Sequence, residues 1–238
     1  MITRVHSGLV VALLCCAAVR AGHVNVPVDS WKELRDKNRR MDFSAERVDC
    51  AIAACRSRGL SVRDAEDLFC PVYLAHDAKL PTNCLFIKIE EGLAKGITWQ
   101  EVHRAVDRRL ECLRKADAMI MSVREIRGGQ HRHLIQHVCL ALESGLPEQV
   151  LTDVMHRPAR FRYGRMIHVI EAGESLQLSG LKPEQIRQVM NDCVDRDLSC
   201  DEVMRVIDVF QHGLHDGRNF NALYATLWVS SDAVRATP

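Results

Sequence analysis

A short phrase recurs along this chain: Gly or Asp, then Leu or Ile, then a residue suited to begin a helix. It reads Gly59-Leu60-Ser61, Gly96-Ile97-Thr98, Gly145-Leu146-Pro147, Gly180-Leu181-Lys182-Pro183 and Asp197-Leu198-Ser199. A helix often ends on a left-handed residue followed by an apolar one that folds back on the last turn. The next helix wants a Ser, Thr, Asp or Asn cap, or Pro at its first position. The phrase meets both demands in three residues, so it predicts helix hairpins joined by very short turns.

The neighbours of each phrase extend this grammar. Thr98 precedes Glu101, Ser199 precedes Glu202, Lys182 precedes Gln185 and Ser61 precedes Asp64, the spacing of a capping box. Ile97 with Val102, Leu146 with Leu151, Leu181 with Ile186 and Leu198 with Val203 are spaced as hydrophobic staples; Leu60 with Ala65 is the weak fifth. Apolar spacing near 3.6 predicts helices over 30–38, 45–58, 62–77, 82–94, 98–126, 131–144, 147–157, 162–178, 183–196, 200–213 and 218–229. Period-two alternation is lacking, so the expected fold is all-α: an irregular stack of αα-hairpins, as a short superhelix or a helical bundle. The phrases lie 37, 49, 35 and 17 residues apart, which fits no standard repeat period.

The start of the chain reads as an export signal over 1–21. Arg4 and His6 precede an apolar run from Leu9 to Val19, and Val19-Arg20-Ala21 resembles a cleavage site. The run is shorter than the ~20 apolar residues a membrane span needs. The expected organisation continues with a linker or short helix over 22–44, helical-hairpin halves over 45–128 and 129–230 divided at Gly128-Gly129, and a disordered tail over 231–238. Cleavage would remove Arg4 and Arg20 and no acid, taking 32 basic residues to 30 against 31 acidic ones. That balance gives no electrostatic case for a nucleic-acid partner.

Residues 80–97, with Leu80-Pro81-Thr82 and then Lys88-Ile89-Glu90-Glu91-Gly92-Leu93-Ala94-Lys95-Gly96-Ile97, resemble a group of uncharacterised exported bacterial helical proteins carrying an EGLAKG-type phrase. The resemblance covers roughly residues 58–125. It implies an exported, bacterial context and carries no catalytic residue. Within the phrase, Gly92 and Gly96 read as helix-ending residues and Glu90 and Glu91 as solvated.

Chemistry is thinly marked. His133 and His137, four apart on one helix face, are spaced to hold Zn²⁺ or Cu²⁺, with His103 or Glu143 as further ligand candidates; His212 and His215 form a second pair. The Glu of an H-E-x-x-H motif is missing. Arg157, Arg160, Arg162 and Arg165, interleaved with Phe161 and Tyr163, could hold an anion or glycan, or simply pair with acids such as Asp153 and Glu171. Eight cysteines follow the signal. Cys193 with Cys200, and Cys70 with Cys84, flank connections and are the disulfide candidates, while Cys112 and Cys139 read as buried thiols. No nucleophile, phosphate-loop or haem motif is recognisable. The expectation is a periplasmic or extracellular binding or scaffolding module whose partner is a protein or cell-envelope component.

Overall fold

The computed structural model describes residues 28–123, 129–157 and 163–235. Residues 1–21, expected as an export signal, lie outside them. The described residues form eleven helices: α1 (Trp31–Arg40), α2 (Ala45–Ser57), α3 (Val62–Asp77), α4 (Asn83–Ala94), α5 (Trp99–Met121), α6 (Gly129–Glu143), α7 (Glu148–Met155), α8 (Tyr163–Leu178), α9 (Pro183–Asp195), α10 (Cys200–His215) and α11 (Phe220–Arg235). Among the described residues there is no strand, and no helix is long and apolar enough to cross a membrane.

The recurring phrase closes the helices as its residues dictate. In each copy the apolar residue's N–H reaches back five residues: Leu60 to the Cys55 carbonyl (3.1 Å), Ile97 to Gly92 (3.1 Å), Leu146 to Ala141 (3.0 Å), Leu181 to Leu176 (3.2 Å) and Leu198 to Cys193 (3.1 Å). This is the Schellman closure, which requires a left-handed residue just before. Gly96 supplies it at φ +77, and Asp197 does so without glycine at φ +52. Two further copies escape the sequence pattern, Lys79-Leu80 and Gly217-Arg218, where Leu80 donates to Ala75 (2.8 Å) and Arg218 to Gly213 (2.9 Å).

Helix starts follow the same logic. Ser61, Thr98 and Ser199 accept from the N–H of Asp64, Glu101 and Glu202, and the acids of the first and third boxes reach back to the cap N–H. At α9 only the return half forms, Lys182 N–H to Gln185 Oε1 at 2.9 Å, because a lysine side chain has no accepting oxygen. Pro147 precedes α7 as its cap residue and is not its first helical residue.

Packing runs along the chain in steps of one and two. α2 lies on α4, α3 and α4 on α5, α5 on α6, α6 on α8, α8 on α9 and α10, α7 on α9, and α10 on α11. One apolar cluster extends from Val28 to Trp228, and α5 and α6 pack closely across the expected boundary between halves. At the N-terminal end, buried Asn38 ties α1 to α3, its Nδ2 donating to the Leu34 carbonyl (2.7 Å) and the Tyr73 hydroxyl (3.2 Å).

Several expectations need correction. Helix α5 ends at Met121 and residues 124–128 lie outside the described chain. Residues 231–235, expected as tail, belong to α11, and 236–238 lie outside the described chain. The eight cysteines among the described residues are free, so neither Cys193–Cys200 nor Cys70–Cys84 is bridged. Cys193 is fully buried on the core face of α9, whereas Cys200 is the first, half-buried residue of α10; flanking the same turn does not aim the two sulfurs at each other. The Cys84 thiol instead points to the Pro81 carbonyl at 3.6 Å. Burial pushes the Cys55 and Cys193 thiols up to about 12, which keeps them protonated and poorly nucleophilic at neutral pH.

Candidate functional site: a histidine cluster and three grooves

His133 and His137 stand one turn apart on α6, as their spacing demands. Their Nε2 atoms are 3.5 Å apart and their rings meet edge to face at 4.8 Å between centroids. Helix α8 packs across them and adds two groups that the spacing along α6 does not reveal. Glu171 Oε1 lies 3.2 Å from His137 Nδ1, and Glu171 Oε2 lies 3.0 Å from His168 Nδ1. One carboxylate thus orients two imidazoles. The i, i+3 spacing of His168 and Glu171 was the available clue, but only the α6–α8 register joins them to His137.

Burial pushes the His137 pKa below its ordinary value of 6.5, and the nearby His133 and His168 add to this, outweighing the pull of Glu171. The folded state therefore holds fewer protons on this ring than the unfolded chain does. Its stabilising contribution is complete above the unfolded value and is lost as pH falls through the lowered folded one. His137→Gln is expected to flatten the stability curve below pH 6.5, measured by urea unfolding across that range. An unchanged slope would mean that His137 does not carry the linkage.

The other proposed ligands lie elsewhere. Glu143 is clasped by Arg109, with Arg109 Nε at 2.9 Å from Oε1 and Nη2 on Oε2, and Lys88 stands at 3.9 Å. Burial works against the Glu143 charge, but Arg109 outweighs it and holds the carboxyl below its ordinary range. His103 pairs with Asp107 on α5 at 2.9 Å. His212 Nδ1 lies 2.8 Å from the Asp208 carbonyl one turn back. Among the described residues no three His, Cys, Asp or Glu side chains converge as a metal-ligand set.

The arginine segment is partly described: Arg160 and Arg162 lie outside the described residues. Arg157 pairs with Asp195 and Arg165 with Asp197, so the acids that meet them come from α9 and its closing turn. Asp153 is engaged by Arg187 at 3.5 Å and Glu171 by the histidines. Glu90, read as solvated, is half-buried against Arg47 at 3.5 Å, and burial raises its carboxyl above the ordinary range.

Open grooves lie between helices among the described residues, and three of them carry charged walls. One of about 810 Å³ holds Asp153, Arg157, Arg187 and Asp195 between α7 and α9. A second, of about 620 Å³ at the turn before α4, holds Asp42, Asp77, Lys79 and Arg132. In both, cations and carboxylates balance two against two. The third, about 590 Å³ between α4 and α5, carries four cations, Lys88, Lys95, Arg104 and Arg108, against Glu91 and Glu101. Its surplus of two positive charges sets it apart from the other two. No protein-family model, curated protein or solved structure matches the chain.

Proposed function

We propose that this protein is an exported binding or scaffolding module that presents a helical surface to a protein or cell-envelope component. The observation supporting this reading is the series of open, charge-lined grooves between helices stacked by one- and two-step contacts. Such stacks expose side walls that a partner can follow without opening the core. Incubating the purified protein with fractionated envelope material should give saturable, salt-sensitive retention of one component without its chemical alteration. Turnover of a wall polymer or peptide by the same preparation would overturn the reading.

A second reading, a metal-binding protein using His133 and His137, has a specific observation in its favour. At Zn–N distances of about 2.0–2.1 Å, two ligands of a tetrahedral ion stand about 3.4 Å apart, close to the 3.5 Å between the two Nε2 atoms. Glu171 on His137 Nδ1 is the outer carboxylate that commonly orients a metal-bound imidazole. Water would complete the ion's coordination. Calorimetric titration of tag-free protein with Zn²⁺ and Cu²⁺ should show one site per chain that His133→Ala or His137→Ala abolishes. Equal uptake by both variants would overturn it.

A further inference from the structure

The α4–α5 groove is built from the EGLAKG-type phrase. Glu91, Gly92, Lys95 and Ile97 come from it, and Arg104 and Arg108 face them from α5. In three other copies of the hairpin turn the folded-back leucine is buried, Leu146 at 2 %, Leu181 at 6 % and Leu198 at 3 % exposure. Ile97 occupies the equivalent place at 39 % and opens onto the groove. The closure that normally hides an apolar side chain here leaves one on display.

Of the cations around it, Lys88 leans on Glu143 at 3.9 Å, while the other three form no close ion pair: among the described residues, no carboxylate lies within ion-pair distance of Lys95, Arg104 or Arg108. Of the two acids, Glu101 is engaged at the α5 cap, where the Thr98 hydroxyl donates to it at 2.7 Å. Lys88 and Lys95 stand two turns apart along α4, about 10 Å, and Arg104 and Arg108 one turn apart, about 6 Å. Cations strung out in this way match several carboxylates in a row better than they match one phosphate.

We propose that this groove docks an acidic peptide segment of a partner protein, with an apolar residue seated against Ile97 and carboxylates meeting Lys95, Arg104 and Arg108. The proposal rests on the binding-module reading and names its surface and partner chemistry. Charge complementarity steers such an encounter and an apolar anchor holds it.

The test is selection of displayed random short peptides on the purified protein, then anisotropy titration of the enriched peptides. Enriched sequences should pair clustered Asp or Glu with a large apolar residue. Their affinity should fall by about tenfold in Lys95→Glu/Arg104→Glu, and in Ile97→Ser, and weaken with added salt. Melting temperatures should stay unchanged, since all three side chains are surface groups; Arg108→Glu serves if the double variant folds poorly. Peptides indifferent to these changes would overturn the groove assignment while leaving the module reading intact. An empty selection, enrichment of basic peptides, or full displacement by inorganic phosphate or anionic phosphatidylglycerol vesicles would overturn the proposal as well. Turnover of an envelope substrate would remove the module reading itself.

Discussion

Phe86→Ala is expected to cost about 4 kcal/mol of stability, at the centre of the range for emptying a buried aromatic site. Phe86 is fully buried on α4 and stands edge-on to two rings, Phe43 at 5.4 Å and Phe69 at 5.5 Å between centroids. Truncation removes both aromatic contacts, each worth about 0.5–1.5 kcal/mol beyond the buried area. It also leaves a void between α4, α3 and the α1–α2 connection. Against a typical total of about 5–15 kcal/mol, such a loss is a large fraction of what holds a domain. A guanidinium titration should show the midpoint falling sharply, with Phe86→Leu well behind. A loss below about 1.5 kcal/mol would mean that the site collapses around the gap.

The second large effect concerns Gly92, where α4 packs tightly on Val102 of α5. A Cβ there would lie 2.7 Å from Val102 Cγ2 and 3.1 Å from Cγ1. Val102 cannot easily turn aside: it is 2 % exposed, and a β-branched side chain in a helix has essentially one rotamer. Gly92→Ala should therefore destabilise by about 2 kcal/mol through overpacking. Helix propensity alone would have made the change favourable by about 1 kcal/mol. In a Val102→Ala background the clash is gone, and the same substitution should become stabilising. A double-mutant cycle with no change of sign would show that the contact does not set the α4–α5 spacing.

Gly92 also shows where sequence reading reaches its limit. As one of the two glycines of the EGLAKG-type phrase it reads as a helix terminator, yet it lies inside α4 and serves a close crossing. Gly96 does terminate the helix, because the hydrogen bonds that require it are local and fall within one phrase. All eleven helices were legible for this reason: caps, closures and apolar spacing act over a few residues. The histidine site was half legible. The i, i+4 spacing put His133 beside His137, but His168 and Glu171 join them only through the packing register of α6 on α8. The partners of Arg157 and Arg165 were hidden in the same way, since Asp195 and Asp197 come from another hairpin. The α4–α5 groove was less legible still. Lys88, Lys95, Arg104 and Arg108 look like ordinary solvated charges until two helices bring them to one rim.

The step-by-step packing of the helices has a mechanical consequence. Helix α11 rests chiefly on α10, whereas α5 and α8 are each gripped by several neighbours. Such a molecule behaves as linked segments with unequal lifetimes and not as a single switch. Amides of α11 should open and exchange with solvent while those of α5 and α8 stay protected. Tension applied at the two ends would peel the C-terminal helix first and reach the α5–α6 joint last. A partner held on the α4–α5 wall would then keep its grip while the far end of the stack frays and re-forms.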